Sequence, residues 1–110
     1  MSFAESGNIK ADTRLEMLAL LDDEDLVTEA IRRMNALNEE IIKVDELNEN
    51  YQIGASYFLK LKTLTFDQLW TDYLQPLLQD YVQGIYDEAG IMRRFAEAYG
   101  YPTRENGNYD

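Results

Sequence analysis

The chain has 110 residues, enough for one domain with a modest core. Its formal net charge is −11, from 21 acidic and 10 basic residues, which argues against a direct grip on nucleic-acid phosphates or on an anionic membrane surface. It has no cysteine and no histidine, so disulfides, zinc held by Cys or His, thiol nucleophiles and His-based acid–base chemistry are excluded.

Hydrophobic residues make up 45%, ordinary for a globular protein and too many for a disordered one. No apolar run has the length of a signal peptide core or a membrane span, so a cytoplasmic location is the default expectation. Residues 1–11 read as an irregular arm, with Phe3 and Ile9 isolated among small and polar residues. A first helix is expected from Asp12 to Leu21, capped by Asp12 or Thr13, with Leu15, Leu18 and Leu21 and the adjacent Met17 as its apolar face. The acids Asp22-Asp23-Glu24-Asp25 follow. Without a glycine turn or a distal glutamate at calcium-loop spacing, they read as caps that complement a helix dipole rather than as a metal site.

A second helix is expected from about Asp25 to Leu47, because Val27, Ala30, Ile31, Met34, Leu37, Ile41 and Val44 recur at spacings of three and four. Asn35 and Asn38 flank that stripe, and one of them is a candidate buried polar tie. Arg32-Arg33 is either a solvated pair or an anion contact. Asn48-Glu49-Asn50 ends the helix. Gly54 then permits a tight turn or a positive φ, and Ser56 caps a short helix through Tyr57, Phe58 and Leu59. The alternation of Tyr57, Leu59 and Leu61 leaves a short strand as the other reading. Lys60 and Lys62 are the local basic pair of the central stretch.

The third major helix has the clearest start. Thr65-Phe66-Asp67-Gln68 fits a capping box, with Leu64 and Leu69 placed for a hydrophobic staple. Phe66, Leu69, Trp70, Tyr73, Leu74, Leu77, Leu78, Tyr81 and Ile85 form a wide apolar face. Pro76 removes a donor and collides with the carbonyl four residues back, so a kink or a junction is expected near Leu74-Gln75. A last helix from about Asp87 to Tyr99 turns Ile91, Met92, Phe95 and Ala98 inward, and Gly100 with Pro102 stops it. Residues 101–110 read as a mobile tail. The domain is therefore residues 12–100, all-α, with four or five helices around Trp70 and a proline-kinked central helix.

No nucleophile–base pair and no phosphate-binding glycine loop occur. The tyrosines around Trp70 could stack a base, but aromatics at helical spacing more often build core.

Three stretches carry a resemblance, in order: Leu37-Asn38-Glu39-Glu40-Ile41; Ile53 through Phe58, within Tyr-Gln-Ile-Gly-Ala-Ser-Tyr-Phe; and Leu69-Trp70 through Pro76-Leu77-Leu78 to Tyr81. Over residues 26 to 85 the chain resembles the C-terminal lid region of McrB-type AAA+ ATPases. That region typically has a Leu-Asn-x-x-Ile helix, an Ile-Gly-His-Ser-Tyr-Phe segment and a Trp helix ending in Pro-Leu-Leu-x-Glu-Tyr. Ala55 stands where the family usually has histidine.

The resemblance implies a lid-like fold that rides on an NTPase core, coupling nucleotide state to conformation and serving restriction of modified DNA. It implies that Ile53, Gly54, Ser56, Tyr57 and Phe58 face the nucleotide of the parent protein; the other reading of the segment is a packing turn. Many AAA+ lids place a sensor arginine after a Gly-x-Ser turn, but none follows Gly54-Ala55-Ser56 here. The implied cofactor, ATP or GTP with Mg, belongs to the parent, because the phosphate loop and metal-binding acids of the core lie outside this sequence. The chain is thus either a fragment or a stand-alone lid, without catalysis of its own and without a cofactor bound by itself. The implied partners are the AAA+ core domain of the parent chain, neighbouring ring subunits and a McrC-like nuclease, with no direct nucleic acid and no membrane. The competing reading is an independent acidic interaction module, including an inhibitor that mimics DNA through its negative surface.

Overall fold

A computed structural model describes residues 11–101. The expected arm at 1–11 and tail at 101–110 therefore lie almost wholly outside the described residues. Among those residues every regular element is helical. α1 is Ala11–Leu21 and α2 is Glu24–Lys43. A 3-10 turn at Glu49–Tyr51 precedes α3, Ala55–Phe58, which continues into a 3-10 turn at Leu59–Lys62. α4, Phe66–Leu69, runs through a π turn at Trp70–Leu74 into α5, Gln75–Val82, and α6 is Glu88–Tyr99. Counting Phe66 to Val82 as one rod, five helices surround one core.

The acid run acts as a start signal. Asp23 caps α2, its side chain accepting a hydrogen bond from the Leu26 N–H at 3.1 Å. Glu24 and Asp25 sit in the first turn, where the helix dipole favours negative charge. Asp12 and Thr13 fall inside α1, which begins at Ala11, so neither is its N-cap. Leu15 points outward, 65% exposed, while Met17 and Leu21 are buried.

α2 stops at Lys43, four residues before the expected end. Val44 turns extended (φ −81°, ψ 120°), yet Val44 and Leu47 are both buried, joined through a turn bond from the Leu47 N–H to the Val44 carbonyl at 2.9 Å. The apolar spacing of three thus outlasts the helix that it resembles.

The capping box is complete: the Gln68 N–H donates to Thr65 Oγ1 at 3.1 Å and the Thr65 N–H to Gln68 Oε1 at 3.0 Å. The junction at Leu74-Gln75 is where the π turn gives way to α5, leaving Pro76 in the first turn of α5, where a missing donor costs least. The π turn also sets the core register. Trp70, Leu74, Leu78 and Val82 are all buried, at steps of four. A regular α-helix would rotate such a row away from the core by about 40° per step, given 3.6 residues per turn. One wider turn offsets that drift. It also carries Tyr73, expected inward, out to 40% exposure.

α6 ends in a Schellman motif: Gly100 is left-handed at φ 96°, and the Tyr101 N–H reaches the Ala96 carbonyl at 2.9 Å. Ile91, Met92 and Phe95 face inward as expected. Ala98 is only half-buried; Ala96 and Tyr99 are buried in its place. Tyr99 is the centre of an aromatic cluster. Trp70 stacks on it at 5.1 Å between ring centroids, and Phe58 and Phe66 lie at 6.2 and 6.5 Å. The Tyr99 hydroxyl donates to the Phe66 carbonyl at 2.6 Å, which ties α6 to the start of α4. Burial pushes that hydroxyl well above the usual tyrosine range.

Arg33 of α2 lies over this cluster, 4.2 Å from the Phe66 centroid and 5.3 Å from that of Tyr99. Its Nε donates to Glu29 at 2.8 Å. Arg32 and Arg33 together hold the Glu29 carboxyl down at about 2. Half of the arginine pair is therefore structural, while Arg32 stays exposed.

Candidate functional site

The Ile53–Phe58 segment enters the fold on a buried clamp. Asn38, 4% exposed in α2, donates from Nδ2 to the Ile53 carbonyl at 3.0 Å and accepts from the Ile53 N–H at 2.6 Å. An amide side chain has one donor side and one acceptor side, so it can mimic a neighbouring peptide in this way. Isolated from water, the pair fixes where the segment leaves the core. Asn38 is thus the buried polar tie that the sequence suggested, and it links the Leu-Asn-x-x-Ile stretch to the Ile-Gly-x-Ser-Tyr-Phe stretch.

The five expected site residues divide by exposure. Ile53 and Phe58 are core, at 3% and 0%. Gly54 and Ser56 are exposed, and Tyr57 is half-buried. Gly54 sits at φ −89° and ψ 166°, an ordinary extended conformation, so no positive φ demands glycine there. A Cβ at Gly54 would meet nothing within 4 Å. The N-cap of α3 is Gly54, without a side-chain cap; Ser56 lies inside the helix and does not start it. The helical turn at Tyr57 is formed and the alternative strand is not.

Ser56, Tyr57 and Lys60 line a shallow hollow of about 360 Å³ on this ledge. Lys60 Nζ rests over the Tyr73 ring, 4.4 Å from its centroid, a cation–π contact. Lys62 donates to the Leu20 carbonyl at 3.2 Å, in the last turn of α1, where a cation is favoured. Tyr51 meets Tyr81 edge-on at 5.0 Å. Burial raises the Tyr81 hydroxyl, and the nearby Tyr57, Tyr51 and Asp80 push it further up. The ledge thus offers hydroxyls and an ammonium on a base of packed rings. Trp70 takes no part in it: stacked on Tyr99 and on Tyr101 at 6.0 Å, it is 1% exposed and belongs to the core.

Lys60 stands out in the sequence only as one of the basic pair of the central stretch, not as a ledge residue. Its position follows from the 3-10 turn that succeeds α3 and from the outward rotation of Tyr73.

The described residues thus form an all-α fold with a clamped, exposed ledge. The chain matches the family model described as the McrB alpha-helical lid domain over residues 29–90, more than half its length. It belongs to that family. α1 and most of α6 flank the matched region, with α6 supplying Tyr99. Comparison with curated proteins and with solved structures gives no significant match.

Among the described residues, no helix is long and apolar enough to cross a membrane, and no three acids gather where they could hold a metal ion.

Proposed function

We propose that this lid closes over the nucleotide of an McrB-like AAA+ NTPase and couples nucleotide state to the position of the lid. In this reading ATP or GTP with Mg is held by the parent's core. Gly54, Ser56 and Tyr57 face the cleft, while Ile53 and Phe58 anchor that segment from behind. The partners are the core domain, neighbouring ring subunits and a McrC-like nuclease, acting in the cytoplasm on modified DNA.

The observation that supports the reading best is the contrast within six residues. The Ile53 backbone is clamped by a buried asparagine, and the next residue is an exposed glycine with open space around it. A rigid base under an open backbone suits close approach by a second body, and lid closure of this kind is how many enzymes exclude water and commit substrate.

The test is Tyr57→Ala in the full-length NTPase that carries this lid. Nucleotide turnover at subsaturating substrate is expected to fall by about tenfold, the size of effect that follows when a positioning contact is lost. The isolated chain is expected to bind nucleotide weakly or not at all. Unchanged kinetics in the Tyr57 variant refute the reading.

A further inference from the structure

We infer that the turn between α5 and α6 is a docking point for a basic segment of a separate protein, one in which arginine alternates with an aliphatic residue. The surface shares no lining residue with the ledge, and the inference does not rest on lid closure.

The turn presents one aromatic side chain to solvent. Tyr86 is 92% exposed, more than any other large hydrophobic residue among those described. The turn that carries it is fixed. Gly84 (φ 86°) and Asp87 (φ 64°) bend the chain through the left-handed region on either side of Tyr86, and Asp87 does so without being glycine. The Ile85 N–H donates to the Val82 carbonyl at 2.9 Å and the Gly84 N–H to Glu88 Oε1 at 3.4 Å, while Gln79 donates to the other oxygen of that carboxylate. A Cβ at Gly90 would strike the Asp87 carboxylate, so the start of α6 also packs against the turn. A ring held out from a fixed turn loses little freedom on binding, which favours it as an interface anchor.

Tyr86 borders a hollow of about 320 Å³ between this turn and the end of α2. The floor is aliphatic: Val44 and Ile91 are buried and Ile85 is half-buried. Asp45 and Glu46 line the same hollow, both exposed and in no ion pair among the described residues. Of the two cations there, Lys43 is already bonded to Glu40 at 3.0 Å, which leaves Arg94 uncompensated among the described residues. The net charge of −11 adds a field that draws a cationic partner and opposes a second copy of the chain. In the arrangement inferred, an arginine of the partner lies on the Tyr86 ring with its N–H groups towards Asp45 and Glu46, and the adjacent aliphatic side chain covers Val44 and Ile91. A guanidinium suits this place because it both stacks on a ring and forks onto carboxylates.

The experiment titrates the 110-residue chain with two amidated peptides, Arg-Leu-Arg-Leu and Arg-Ser-Arg-Ser. Salt is held at about 0.15 M, where charges more than about 8 Å apart are largely screened. The leucine peptide is expected to bind several-fold more tightly than the serine peptide. Tyr86→Ala should weaken its binding about fivefold, the size of an exposed cation–π contact, and Tyr86→Phe should stay within about twofold of the parent. Asp45→Asn with Glu46→Gln should weaken it more than Glu16→Gln with Asp72→Asn, which removes the same charge outside the hollow. Arg94→Ala should tighten it, because a like charge is gone.

Equal binding of the two peptides, or equal losses in the two double variants, overturns the inference, because the attraction is then general to an acidic chain. Absence of binding by the leucine peptide overturns it, and so does a Tyr86→Ala variant that binds as the parent does. Sedimentation of the chain alone should show a monomer. A dimer that Tyr86→Ala dissolves overturns the inference, since a second copy then fills the hollow.

Discussion

Removing the amide of Asn38 tests how the ledge is held. Asn38→Ala leaves the Ile53 N–H and carbonyl without partners at a position where Ile53 is 3% exposed. Each stranded buried group costs about 1–3 kcal/mol, so the pair should cost roughly 2–6 kcal/mol. For a domain of this size that corresponds to a fall in melting temperature of roughly 8–24 °C, at about 4 °C per kcal/mol. Urea denaturation of the chain, followed by the fluorescence of its single tryptophan, reads the change. The slope with denaturant should be unaffected, since the surface exposed on unfolding is nearly the same.

Asn38→Asp refines the test. An ionised carboxylate still accepts from the Ile53 N–H but cannot donate to the carbonyl. Burial raises the pKa of such an acid in the fold above its unfolded value near 4. The deficit relative to the parent chain should therefore be full above the folded pKa and shrink as pH falls towards the unfolded one. A loss below about 1 kcal/mol in Asn38→Ala, where a clamp of this kind should cost at least the lower bound for two stranded groups, refutes the reasoning. A pH-independent deficit in Asn38→Asp refutes it as well.

Other outcomes follow from the aromatic cluster and from the arginine pair. Tyr99→Phe keeps the stacking on Trp70 and loses the bond to the Phe66 carbonyl, which should cost about 1 kcal/mol by urea denaturation. Glu29 has a folded pKa of about 2 against an ordinary 4.5, so its contribution is fully present above pH 4.5 and is lost as pH falls towards 2. Glu29→Gln should lower stability at neutral pH and flatten that part of the acid limb. Arg32 holds the carboxyl through two bonds and Arg33 through one, so Arg32→Ala should shrink the effect and leave the part that Arg33 supplies.

The helical architecture was legible from periodicity and local signals. Thr65 and Gln68 announce their own capping box, Asp23 caps where the acids begin, and Gly100 ends α6. Periodicity misled where it continued without a helix, as at Val44 and Leu47, and where the helix changed pitch. The π turn reverses the expected placement of Tyr73, because a face drawn at 3.6 residues per turn throughout places that ring inward.

The candidate site was half legible. The Ile53–Phe58 segment shows in the sequence as an unusual glycine and aromatic stretch, but periodicity cannot separate the buried Ile53 and Phe58 from the exposed Gly54 and Ser56. Nor does local sequence pair Asn38 with Ile53, which lie fifteen residues apart. The central part of Tyr99 was hidden for a similar reason: its partners come from α3, α4 and the π turn. Lys60 becomes visible only when Tyr73 turns outward beneath it.

Gly54→Gln tests the central claim most directly. The backbone there is extended and the space around it is open, so the chain alone should unfold within about 1 kcal/mol of the parent, the range of cap substitutions that remove no bond. In the full-length NTPase the same side chain should block closure over the nucleotide, and turnover should fall by about tenfold or more. Full turnover with glutamine at this position contradicts the account, because the ledge then faces nothing that closes.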